Sequence, residues 1–373
     1  MDRVNLKHLL KLFGLAVACA AATLAVMLVL PHDRYILWQS ENTEAYARLS
    51  WAYERIHDDQ TPVDIAFIGT SHTMNGIDAG GIAREIAASG VRNANGKCLT
   101  ATNLAIPAYG RNMHWLVTRE LLRARPVKLL VIEVFENETR KAHPVFSHVA
   151  DEADILGAPL LINLNYMHDI VRLPFRQVTL AAETLAPEEF GLKRKWSPDD
   201  YDGSTINNTR VVSARGVALT TPRDTVLPLE ELKKVAEEHA RSKNTHMLGA
   251  RFADLEYAYP MHYLNGMLDL AKQRGVKVVF MYLPGYGLPD APYDMKPYQG
   301  HGDMISANPV LRHTDYWFDA DHLNATGAQA FSHAIAPQIA QQVPGTISAP
   351  SAPCGEHDLG YPERSTLKPF VKP

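Results

Sequence analysis

Residues 65–78 read IAFIGTSHTMNGID. An apolar run stops abruptly at Gly69, and Thr70, Ser71 and His72 follow before any regular pattern resumes. A short apolar run closed by glycine and small polar residues is the pattern of a strand buried on both faces. Such strands belong to parallel sheets covered by helices. Three more runs share this character: TNLAI at 102–106, KLLVIEV at 128–134 and VKVVFMYL at 276–283. Helical spacing separates them over 112–124 and 261–274. It also precedes the first over 41–57, where Tyr46, Leu49, Trp51 and Tyr53 are the inward positions. The alternation predicts an α/β fold, a three-layer parallel sheet flanked by helices.

Ligands of an open parallel sheet gather at the carboxyl ends of its strands, which is where Ser71 falls. A serine after a strand commonly caps the next helix. It serves equally as a nucleophile if a base reaches it. A second stretch bears on the choice: residues 315–327 read DYWFDADHLNATG. Asp319 stands three residues before His322, and Asn324 opens a C-terminal helical pattern. A carboxylate so placed fixes the imidazole tautomer while the other ring nitrogen faces a nucleophile. Read alone, the same residues also suit a turn with a packed histidine.

Together GTSHT at 69–73, NLAIPAYG at 103–110 and DADHLNATG at 319–327 resemble the blocks of the SGNH (GDSL-like) hydrolase superfamily. The resemblance covers roughly residues 60–140 and 260–340. It implies a flavodoxin-like α/β domain with Ser71 as nucleophile, His322 as general acid/base and Asp319 as the orienting carboxylate. It also implies an oxyanion hole built from the N–H of Ser71, from Gly110, and from an asparagine after the third strand. There the chain reads EVFENETR rather than Gly-x-Asn-Asp, so Asn137 is the candidate, with Glu133 and Glu136 beside it. A missing donor would cost about 3 kcal/mol of transition-state stabilisation, or another group, such as His72 or Asn112, would replace it. With GTSHT in place of GDS and an N-terminal anchor, the chain looks like the branch that includes the alginate O-acetylation proteins and the D-alanine transfer protein of teichoic acid synthesis. That likeness implies a serine O-acetyltransferase or esterase acting on an envelope or exported polysaccharide, with a membrane-bound acyltransferase as a partner and no cofactor. A carbohydrate or lipid esterase, or a non-catalytic polysaccharide-binding or assembly protein, are the alternatives.

Outside these blocks, residues 12–30 are apolar or small without interruption, close to the ~20 residues that cross a bilayer as a helix. Arg3, Lys7 and Lys11 precede them and belong on the cytoplasmic side, which places the remainder in the periplasm or its equivalent. The small residues at 20–22 also suit a cleaved signal peptide, but the apolar run continues past them, and an uncleaved anchor is the expectation. Cys19 lies within the span; Cys98 and Cys354 would meet an oxidising compartment, where a bridge and two free thiols are both open readings. The expected organisation is a cytoplasmic end and anchor over 1–35, an α/β domain over 36–343 with an insertion at about 145–250, and a Pro-rich tail over 344–373.

A net charge of −4 without a long basic run argues against nucleic acid, and Lys193, Arg194 and Lys195 read as a solvated patch. His143, His148 and Asp151 lack the spacing of a metal site. Gly69, Gly76, Gly80 and Gly81 match no phosphate loop.

Overall fold

The computed structural model describes residues 6–41, 47–136, 138, 140–160, 163–198, 201, 212–214, 217–220, 224–241, 250–348, 354, 355 and 357–359. Its strands are β1 (Ile65–Ile68), β2 (Val91–Asn93), β3 (Ala101–Asn103), β4 (Leu129–Val134), β5 (Val212–Ala214), β6 (Val217–Thr220), β7 (Lys277–Tyr282), β8 (Asp303–Ile305) and β9 (Thr346–Ser348). Five form one sheet in the order β3-β1-β4-β7-β8, and every pairing in it is parallel. Counting only these five, the order is 2-1-3-4-5, that of a doubly wound sheet whose direction of winding reverses beside its first strand. The crevice at that reversal opens at the carboxyl ends of β1 and β4.

Alternation along the strands sorts the two faces. Ile65, Phe67, Leu129, Val131, Val279 and Met281 share one apolar cluster with Ile82 and Ile86 of the helix Ala79–Ala88 and Phe331 and Ile335 of the helix Ala325–Gln342. The intervening residues Ala66, Ile68, Leu130, Ile132 and Phe280 are equally buried. On that side the helices Arg111–Ala124 and Ala253–Arg274 pack on each other and on β1 and β7. Burial on both faces explains why these strands read as nearly continuous apolar runs.

The four runs recognised in the sequence are β1, β3, β4 and β7, with ends within a few residues of the expected ones. Five strands carried no such signal, among them β5 and β6, which pair antiparallel with each other. β8 is three residues long and begins on an exposed aspartate. β2 and β9 pair only with each other, antiparallel, so the segment after residue 343 includes a short strand. Next to this pair Cys98 and Cys354 are joined by a disulfide, their Cα atoms 6.2 Å apart.

The chain forms two compact units, Met1–Glu41 with Val145–Lys195, and Asn42–Pro144 with Trp196–Pro373. The first unit takes in the short helix Arg34–Gln39, whose Ile36, Leu37 and Trp38 are fully buried. It packs against the helices Phe146–Val149 and Tyr166–Leu185 of the same unit. That unit also contains one helix, Lys7–Leu28, long and apolar enough to cross a membrane, none of it buried.

Candidate active site

The turn after β1 is built by a buried carboxylate. Glu133, on β4, accepts hydrogen bonds from Thr70 N–H at 2.6 Å, Thr70 Oγ1 at 2.8 Å and Thr73 Oγ1 at 2.5 Å. The strand that registers Ile68 against Ile132 thereby delivers an acceptor to the next residues of both strands. Gly69 is required by this approach, since a Cβ there would lie 2.2 Å from both Glu133 Oε2 and Thr73 Oγ1. Thr70 caps the helix Ser71–Gly76 by accepting from His72 N–H. Asn103 Nδ2, at the end of β3, donates to the carbonyls of Thr73 and Ile77 at 2.9 and 3.2 Å and holds the other end of that helix. Ser71 is thus the first residue of a helix pinned at both ends, and its own N–H has no acceptor inside the helix.

His322 and Asp319 arrive from the far end of the chain. Trp317, fully buried, donates its indole N–H to Leu311 O at 3.1 Å and pairs with Leu323 across a short loop. Asp319 Oδ1 accepts from the backbone N–H groups of Asp321 and His322 at 2.9 and 2.8 Å. His322 Nδ1 lies 2.8 and 3.0 Å from the two Asp319 oxygens, and Nε2 lies 2.8 Å from Ser71 Oγ. Only oxygen acceptors face Nδ1, so it carries the proton, and Nε2 is left to accept from Ser71. Partial burial works to raise the Asp319 pKa, but the bonds from His322 and from the backbone outweigh it and hold the carboxyl below its ordinary value.

Gly110 follows β3 in a loop tied to the turn after β1 by Ile106 N–H donating to Gly69 O at 3.0 Å. Its φ of +153° and a would-be Cβ 2.4 Å from His143 N permit no side chain. Ala108, two residues earlier, holds a φ of +79°, a strained value that only an over-determined loop retains. Asn112 Oδ1 accepts from Met113 and His143 N–H groups, whereas its Nδ2 is buried with no partner among the described residues. Asn137 lies outside the described residues. The two glutamates that stood beside it in the sequence are both engaged: Glu133 by the turn, and Glu136 by Gly285 N–H at 3.3 Å, with burial raising the Glu136 pKa.

His72, missed by sequence reasoning except as a stand-in donor, sets its ring edge-on to His322 at 5.4 Å and to Tyr109 at 6.2 Å. Its Nδ1 donates to Leu283 O at 3.2 Å. Arg111, also unforeseen, is buried against Glu138 and donates to Glu133 O at 2.8 Å, fixing the end of β4. A cavity of about 250 Å³ opens beyond β7 beside Gly285. A Cβ on that glycine would meet Asp321 at 2.9 Å, so the cavity adjoins the Asp319–His322 loop, though Ser71 and His322 are not in its lining.

Of the histidines once weighed for metal, His143 bonds Pro107 O through Nε2 at 2.7 Å in the α/β unit, whereas His148 pairs with Glu41 in the other. Burial depresses the His143 pKa to about 4, against a smaller opposing effect of the Pro107 carbonyl. A histidine kept neutral in the fold takes up its proton only on unfolding. Stability should therefore fall as pH drops from about 6.5 to about 4, by roughly 3 kcal/mol, and then level off as far as this group is concerned. Urea midpoints of wild type and His143→Gln across that range check this: the variant should show a shallower decline.

Comparison with known protein-family models gives no match, and comparison with curated proteins gives none either.

Proposed function

We propose that the α/β unit is an SGNH-type serine acyl-esterase or O-acyltransferase working through an acyl-serine intermediate. The observation that carries this reading is the continuous chain Ser71 Oγ, His322 Nε2, His322 Nδ1 and Asp319, with every link between 2.8 and 3.0 Å. Ser71 Oγ attacks the ester carbonyl as Nε2 takes its proton. The tetrahedral oxyanion is held by the N–H groups of Ser71 and Gly110, with Asn137 as the third donor the family pattern suggests. Asn112 Nδ2, near Gly110, is a donor with no partner among the described residues. Collapse breaks the bond to the leaving alcohol, which departs with the proton from Nε2. A second hydroxyl then gives its proton to Nε2 and takes the acyl group from Ser71.

If that hydroxyl is water the enzyme is an esterase; if it belongs to a sugar, an O-acyltransferase. The apolar N-terminal helix favours the second: an anchored enzyme, its catalytic unit extracytoplasmic, beside a membrane-bound acyltransferase that supplies acetyl groups for an envelope or exported polysaccharide.

The test is covalent. The full-length protein in detergent micelles should be labelled by a fluorophosphonate probe, and peptide mapping should place the adduct on Ser71. Absence of labelling, together with no cleavage of an activated acetyl ester, would sink the catalytic reading and leave a polysaccharide-binding role. Given labelling, mass spectrometry of an oligosaccharide incubated with that ester separates acetyl transfer from hydrolysis.

A further inference from the structure

The helix Tyr166–Leu185 has two apolar faces where a helix at the surface of a soluble unit has one. Leu173 and Leu180, with Gln177, are buried in the unit that holds the N-terminal helix. On the other side Met167, Val171, Phe175, Val178 and Leu185 are 42–80% exposed. At the α-helical repeat these five fall within an arc of about 80°. Leu160 and Leu164, just before the helix, are more than half exposed as well. Exposed Arg172 and Thr179 sit at the margin of the stripe, where the arginine reaches phosphate while its stem stays in the apolar layer.

What covers such a stripe is indicated by its neighbour. The helix Tyr166–Leu185 packs against the N-terminal helix Leu6–Leu28 within one unit. The latter is exposed through Val26 and becomes partly covered only at Met27 and Leu28. A helix apolar on all sides and exposed along its length has lipid as its natural solvent. An amphipathic helix in contact with it, with an apolar stripe and an arginine at its margin, has the form of one lying in the plane of the interface.

We propose that the stripe Met167–Val171–Phe175–Val178–Leu185 is a second membrane contact, immersed in the headgroup and upper acyl region of the bilayer that the N-terminal helix enters. It rests on the N-terminal helix being a membrane anchor and is independent of any chemistry at Ser71. The contact is a phospholipid surface, and the flat apolar stripe needs no specific headgroup.

Site-directed fluorescence on the full-length protein tests it. Val171→Cys, Val178→Cys and, as a control at an exposed position of the same unit, Glu189→Cys are each made with Cys19→Ser. They are labelled with an environment-sensitive nitrobenzoxadiazole dye and reconstituted into phosphatidylcholine–phosphatidylglycerol vesicles containing lipid spin-labelled at acyl carbon 5. Wild type labelled at Cys19 reports the anchor in the same vesicles. The expected result is blue-shifted emission and quenching by the spin-labelled lipid about threefold or more stronger at 171 and 178 than at 189. Equal, weak quenching at all three positions with strong quenching at Cys19 overturns the proposal and leaves the anchor standing. A blue shift at 171 and 178 without lipid quenching overturns it in favour of protein cover, such as a second copy. No quenching at Cys19 removes the anchor, and the proposal with it.

Discussion

Ser71→Ala and His322→Ala should each lower turnover of an activated acetyl ester by about four to six orders of magnitude, and the double variant should be no slower than the worse single. Non-additivity is the informative part. The 2.8 Å contact between Ser71 Oγ and His322 Nε2 makes the hydroxyl a nucleophile only while the ring accepts its proton, so once either is gone the other has nothing left to contribute. Asp319→Asn is expected to fall about 10⁴-fold with the geometry intact. Its amide could donate to Nδ1, moving the ring proton to Nε2, where it blocks acceptance from Ser71. Single-turnover kinetics with an activated ester measure all four variants. Losses that multiply in the double variant, or a Ser71→Ala protein that still turns over, would mean that the three groups do not act as a unit.

Glu133 carries the second large effect, on stability and rate together. Its carboxylate is 1% exposed and accepts three hydrogen bonds. In Glu133→Ala the two hydroxyls can turn to other partners, but Thr70 N–H is fixed by the backbone and stays buried and unpaired. The expected cost is roughly 3 kcal/mol, with Glu133→Gln costing about 2 because an amide nitrogen replaces one acceptor among donors. The urea midpoint should fall with the slope unchanged. Relaxation of the turn also displaces Ser71 from His322, and an ångström of misplacement lowers kcat about 100-fold. A midpoint within about 0.5 kcal/mol of wild type would show that the turn is held by something else.

Much of the sheet could be read from the chain because burial on both faces turns a strand into an apolar run, which β1, β4 and β7 largely are and which Leu104, Ala105 and Ile106 supply just after β3. β8 and the β2–β9 pair are too short, and too exposed at one end, to leave that trace. The positions of Ser71, Asp319 and His322 were legible through motif spacing; their mutual contact was not, since 251 residues separate serine from histidine and no local pattern encodes long-range approach. The role of Glu133 was illegible for a related reason. The sequence set it only beside Asn137, and its side chain turns inward under the Ser71 turn. A signal existed: in β4 it continues the alternation of Leu129 and Val131, so an acidic residue was assigned to a buried face and needed donors there. The division at residue 41 was illegible because the apolar residues of the helix Arg34–Gln39 specify that they are covered, not by which segment.

The Cys98–Cys354 bridge has a consequence beyond fastening the end of the chain. It spans 256 residues, close to the interval that separates Ser71 from His322. Each cysteine lies a few tens of residues downstream of one of those two groups. Oxidised, the unfolded polypeptide is a closed ring in which the segments carrying Ser71 and His322 remain tethered neighbours. Reduced, they are distant points on an open coil, and bringing them together costs additional loop-closure entropy of roughly 5 kcal/mol in the simplest chain model. The thiol–disulfide state of the surroundings thereby sets the effective concentration of Ser71 around His322 before either has folded.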